Sequence, residues 1–164
     1  MGIAMKLKDY LNANETRYEL LNHSHSGSSM QTAKASHVPA QCLAKAVVLE
    51  DDTHAVIAVL PASRRLSLDE FRASNGRAFR LAPETELKYL FKDCEPGAVP
   101  PVGGAYGVET VWDDSLMEQS ETYFEAGDHE TLVHMSTRDF IDLMKGARHM
   151  AFSLRMDEER RSLF

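Results

Sequence analysis

Two apolar, β-branched runs, residues 45–50 (KAVVLE) and 54–60 (HAVIAVL), flank the polar triplet Asp51-Asp52-Thr53. Runs of this length rich in Val, Ile and Leu favour extended backbone, and the polar triplet suits the turn of a hairpin. A chain that contains this pair must build a sheet around it. The first run also opens on a cation. Lys45 enters a strand whose other members are mostly apolar, and a charge there costs free energy unless an anion, a ligand or water at the strand end offsets its desolvation. Snorkelling to solvent is the plain structural reading of Lys45, and holding a ligand is the functional one.

Other elements are punctuated clearly. Residues 5–12 carry apolar positions at helical spacing, and residues 17–21 alternate as a strand. Ser28 and Ser29 are N-cap candidates for a helix to Ser36, which Val38-Pro39 breaks. Ser67-Leu68-Asp69-Glu70 has capping-box spacing for a helix over 68–74, closed by Asn75-Gly76. Pro83 opens a helix through Phe91, after a short strand at 78–81. Strand-like segments follow at 106–112, 122–125 and 131–135, then a helix from Ser136 through Met144 with Gly146 as its stop. Consecutive strands favour an α+β domain with a mixed, partly antiparallel sheet curved around a pocket. No repeat or linker divides the 164 residues, so one domain is expected, with a core over about 10–146 and a helical or flexible tail over 147–164.

Residues 97–104 (GAVPPVGG) form a Gly/Pro loop. Glycine lets backbone N–H groups approach a ligand and proline fixes the loop's shape, although Gly and Pro also mark ordinary turns. The formal net charge of −7 opposes nonspecific coating of DNA or RNA, because such binding rests on many Lys and Arg contacts to phosphate. No apolar run approaches the ~20 residues of a spanning helix, and residues 1–9 lack the apolar stretch of a signal peptide. Cys42 and Cys94 are too few for a disulfide framework, so a cytoplasmic protein with free thiols, away from membranes, is expected.

Taken in order, these markers make the chain resemble the bacterial aminoacyl-tRNA deacylase family that includes YbaK and the prolyl-tRNA synthetase insertion domain. The resemblance spans about residues 10–144. It rests on Lys45 at the start of an apolar strand, the Gly-x-x-x-Pro loop of Gly97 to Pro101, and Thr32-Ala33 in the early helix. Asp113-Asp114-Ser115-Leu116, Tyr123-Phe124-Glu125-Ala126-Gly127 and the strand and helix over 132–143 complete it. The resemblance implies a YbaK-like, barrel-like sheet flanked by helices and hydrolysis of the ester between a wrongly attached amino acid and tRNA. Lys45, Gly97, Pro101 and Gly103 are then the candidate catalytic residues, with Lys45 as an electrostatic anchor and loop amides as oxyanion donors. Thr32, Ala46, Pro100, Gly104 and His129 are the candidate substrate-binding residues. Mischarged tRNA is the implied partner, delivered by a synthetase or elongation factor, and no cofactor or metal is implied.

Two departures from the family pattern bear on specificity. Alanine-specific members have Asn after the lysine, where this chain has Ala46, and a histidine near Glu125 that is absent here. His129 is either a pocket residue or a surface-turn histidine. His23 and His25, two residues apart, offer the start of a metal site without a third ligand, in a serine-rich polar lip that the resemblance places near the substrate entrance. A non-catalytic module that binds a tRNA end or a synthetase is the alternative to an enzyme, and a metal-regulated domain is a third reading.

Overall fold

The computed structural model describes residues 2–156. The chain runs through helix α1 (Met5–Ala13), strand β1 (Glu19–Asn22), helix α2 (Ser29–Ser36), strands β2 (Ala44–Glu50), β3 (Ala55–Pro61) and β4 (Arg64–Leu66), and helix α3 (Leu68–Asn75). Strand β5 (Arg80–Leu81) and helix α4 (Glu84–Leu90) lead to the Gly/Pro loop. Then come β6 (Glu109–Asp113), β7 (Glu121–Glu125), β8 (Thr131–Ser136), α5 (Thr137–Leu143), β9 (Arg148–Met150) and β10 (Ser153–Arg155). Serine hydroxyls start three helices by accepting a backbone N–H: Ser28 from Gln31, Ser67 from Glu70 and Ser136 from Asp139.

The hairpin lies at the centre of a mixed five-stranded sheet in the order β5-β2-β3-β6-β9. Its strands pair antiparallel from Ala44 opposite Pro61 to Glu50 opposite Ala55, while β6 runs parallel to both β3 and β9. A second sheet, β1-β8-β7, is antiparallel throughout. The sheets face each other across the main core. Ala44, Val48, Ile57, Val59 and Trp112 meet Phe124, Val133 and Met135, with Leu7 and Leu11 of α1 and Phe140 and Leu143 of α5 closing the sides. Each fully buried side chain of this size contributes about 1.5–3 kcal/mol of transfer free energy. Outside the named strands, one backbone bridge ties the sheets together, Leu43 parallel to Tyr123. A mixed sheet curving towards a second one is the α+β, barrel-like arrangement expected from sequence.

The ends of the chain differ from expectation. Residues 148–150 and 153–155 are strands, where a helical or flexible tail was expected, while residues 157–164 lie outside the described part. β10 pairs with β4, and Phe152 packs with Phe71 and Phe79 in a second core on the far face of the five-stranded sheet. The buried Asp113 carboxylate fastens this segment: Oδ1 accepts the Phe152 N–H at 2.8 Å and Oδ2 the Ser153 hydroxyl at 2.8 Å. The core also begins before residue 10, since Leu7 is fully buried. Three-residue strands are too short to show a period in sequence, so the pattern over residues 147–156 carries no strand signal.

Candidate functional site

Strand alternation sorts the hairpin's charges. Ala44, Ala46 and Val48 of β2 pack on the main core, so Lys45, Val47 and Leu49 lie on the opposite face. Leu43 is on that outer side too, where it packs with Tyr123, Ala33 and Leu132 beneath α2. In a parallel bridge both partners project to one side, so counting two residues on from Leu43 and from Tyr123 reaches Lys45 and Glu125 on the same outer side. Lys45 is half-buried and makes no ion pair or hydrogen bond among the described residues. Its burial and then the nearby Arg65 guanidinium push its pKa below the usual lysine range.

Glu125 is the centre of a polar cluster that sequence reading used only to mark a missing histidine. Its residue is 7% exposed, and its Oε1 accepts the Thr32 hydroxyl of α2 at 2.8 Å. Since that hydroxyl's proton is committed to the carboxylate, Ser26 must donate to Thr32 Oγ1, at 2.6 Å. The fully buried side chain of His23 lies beyond, with Nε2 3.6 Å from Glu125 Oε1 and Nδ1 2.7 Å from the Ser24 carbonyl. Glu125 Oε2 and His23 Nε2 have no hydrogen-bond partner among the described residues. Burial pushes the Glu125 carboxyl above the usual range, against the lowering influence of Thr32, His23 and His129. A buried acid in a strand is a readable signal, but its hydrogen-bond partner Thr32 lies 93 residues away in sequence.

The Gly/Pro loop spans one end of the main core, and its two ends do different things. Exposed Gly97, at φ 85°, lies against His129, where an added Cβ would come within 3.2 Å of the imidazole. The conformation and the contact both require glycine. His129, only 7% exposed and itself at φ 62°, donates from Nε2 to the Pro96 carbonyl at 2.8 Å, so it is a buried part of the site's wall and not a surface-turn residue. Val99 and Val102 enter the main core, and Pro100 and Pro101 are buried beside them. At the far end the Gly103 N–H donates to Thr110 Oγ1 at 3.0 Å, and Gly104 packs against the Tyr10 ring. The expected row of oxyanion donors is therefore shorter: Gly103 is engaged with Thr110 and Ala98 with the Glu95 carbonyl, while the amides of Gly97 and Val99 have no acceptor among the described residues.

Thr32 and His129 thus stand by Glu125, Gly97 lies against His129 and Lys45 shares the outer side by register, whereas the side chain of Ala46 faces the main core and Gly104 packs on α1. His23 and His25 address different carboxylates, Glu125 and Glu95, and among the described residues no three His, Cys, Asp or Glu side chains are placed to hold a metal ion. Burial raises the Cys42 thiol's pKa, which disfavours the thiolate and a nucleophilic role.

A family model for the aminoacyl-tRNA editing domain matches residues 23–143, the span that holds His23, Thr32, Lys45, the Gly/Pro loop and Glu125. The chain belongs to the aminoacyl-tRNA editing domain family. Solved structures carry the same fold. This editing domain superposes on a hypothetical protein with a TM-score of 0.80 at 23% identity, covering 91% of this chain and 99% of that one. A candidate trans-editing enzyme for prolyl-tRNA synthetase gives 0.78 at 20% identity, covering 92% and 96%. A candidate signal transduction protein from Marinobacter aquaeolei VT8 gives 0.73 at 20% identity, with 91% of this chain matching 30% of that longer one. No curated protein matches the sequence.

Proposed function

We propose that this editing domain is a trans-acting aminoacyl-tRNA deacylase of the cytoplasm, hydrolysing the ester between a wrongly attached amino acid and the terminal adenosine of tRNA. The observation that carries this reading is Lys45, an unpartnered, half-buried cation on the outer side of β2, level with the buried Glu125. Lys45 holds a phosphate of the terminal nucleotide as a point charge with rotatable donors. Water adds to the ester carbonyl and gives up a proton. The tetrahedral oxyanion then collapses, the ribose oxygen leaves with that proton, and tRNA and amino acid separate; where the substrate's own hydroxyl or thiol adds instead, the first product is a cyclic ester or thioester, which water opens to the free amino acid. Stabilising that oxyanion is the main requirement for an already activated ester, and the unengaged amides of Gly97 and Val99 are donors of the loop that can serve it. The net charge of −7 leaves few phosphate contacts beyond the acceptor end, which fits delivery of the tRNA by a synthetase or elongation factor.

A panel of mischarged tRNAs tests the reading. Wild-type protein is expected to release the amino acid from at least one member, and Lys45→Ala to slow that release at least ~100-fold, about the loss of one preorganised electrostatic contact. No release from any member would overturn it, and tRNA binding without release would leave a binding module.

A further inference from the structure

The geometry points to Glu125 Oε2 and His23 Nε2 as a receptor for the α-ammonium group of the aminoacyl ester, a deepening that rests on the deacylase reading above. Both atoms are buried and unpartnered, in side chains that are 9% and 0% exposed. The Ser24 carbonyl can only accept, so His23 Nδ1 carries a proton, and in the tautomer with Nδ1 alone protonated Nε2 presents a lone pair. The relay from Ser26 through Thr32 delivers its hydrogen bonds to Glu125 Oε1 and none to Oε2. The pair is therefore rich in acceptors and lacks a donor, and leaving such atoms buried and unpaired is unfavourable. A primary ammonium brings three N–H donors and a positive charge to a carboxylate that no Lys or Arg among the described residues pairs with.

Charge layout supports the assignment. Lys45 and Glu125 each lie two residues along from the Leu43–Tyr123 bridge on the same outer side, a cation on one strand and an acid on the other. The aminoacylated end of a tRNA is bipolar in the complementary sense, phosphate at one end and ammonium at the other. The connection between β1 and α2, which carries Ser24, Ser26 and Gly27, belongs to no helix or strand. Because both acceptors are shielded from solvent, that segment must shift for the ammonium to reach them.

The test uses non-hydrolysable 3′-aminoacylamino-adenosine 5′-monophosphates with alanyl, seryl, cysteinyl and prolyl groups, each with a free amine or N-acetylated, titrated calorimetrically into the full chain. The best free-amine analogue is expected to bind at least ~30-fold tighter than its acetylated form, and Glu125→Gln, which keeps an acceptor for Thr32, to shrink that ratio below about threefold. Lys45→Ala should weaken both forms alike. Equal binding of the two forms by wild type, a ratio unchanged in Glu125→Gln, or no binding of any analogue overturns the assignment. The free-versus-acetylated comparison on wild type needs no variant to fold. A large ratio without hydrolysis of any aminoacyl-tRNA would sink the deacylase reading and leave the ammonium site standing.

Discussion

Glu125 ties the chemistry of the site to the stability of the fold. Its carboxyl titrates above its ordinary value of 4.5, so between that value and the raised one the folded state holds the proton more tightly than the unfolded state does. Stability is then fully present below the ordinary value and falls as pH rises through the raised one. Glu125→Gln is expected to be more stable than wild type at pH 7.5 but not at pH 4, measured by thermal unfolding, and an equal offset at both would contradict this. Lys45 carries the opposite charge and is likewise disfavoured by burial. Lys45→Met should raise Tm by roughly 2–4 °C, about 1 kcal/mol for a chain of this size, while abolishing deacylation. A lower Tm would show that the cation is not held against a desolvation cost. Lys45 could be singled out in sequence because a cation breaks an apolar run. The role of Glu125 could not, because it depends on Thr32 and His23 arriving from the far end of the chain.

At the scale of elements, legibility followed the range of the signal. Serine caps act within three residues, so α2, α3 and α5 begin where their sequences say they should. The hairpin was equally plain, its two strands separated only by a short polar turn. The Gly/Pro loop was legible as a loop but not in its duties. Gly97 is glycine for the sake of His129, whereas Gly103 lets the backbone close on Thr110 and Val108. Gly103→Ala is therefore expected to cost roughly 1–3 kcal/mol in urea unfolding, as overpacking of a tight contact does. An unchanged midpoint would mean that the loop has room the geometry denies.

Across the whole molecule, the last described strands belong to the packed body. Phe152, 1% exposed and edge-on to Phe71, completes the second core, and Phe152→Ala should cost about 3–5 kcal/mol, read from the denaturation midpoint. A loss below 1 kcal/mol would return this segment to the status of an appendage. The Leu43–Tyr123 bridge has a different reach. It is the zero mark from which both charges of the site are counted, and side chains change face at every step along a strand. Length can vary in the turn after Glu50 or the turn after Glu125 without disturbing that count. One residue gained or lost between Leu43 and Lys45, or between Tyr123 and Glu125, would exchange inside for outside, sending a charge into the barrel and an apolar neighbour to the ligand. The joint between the sheets is thus a point of arithmetic rigidity in a fold whose loops are otherwise free to drift.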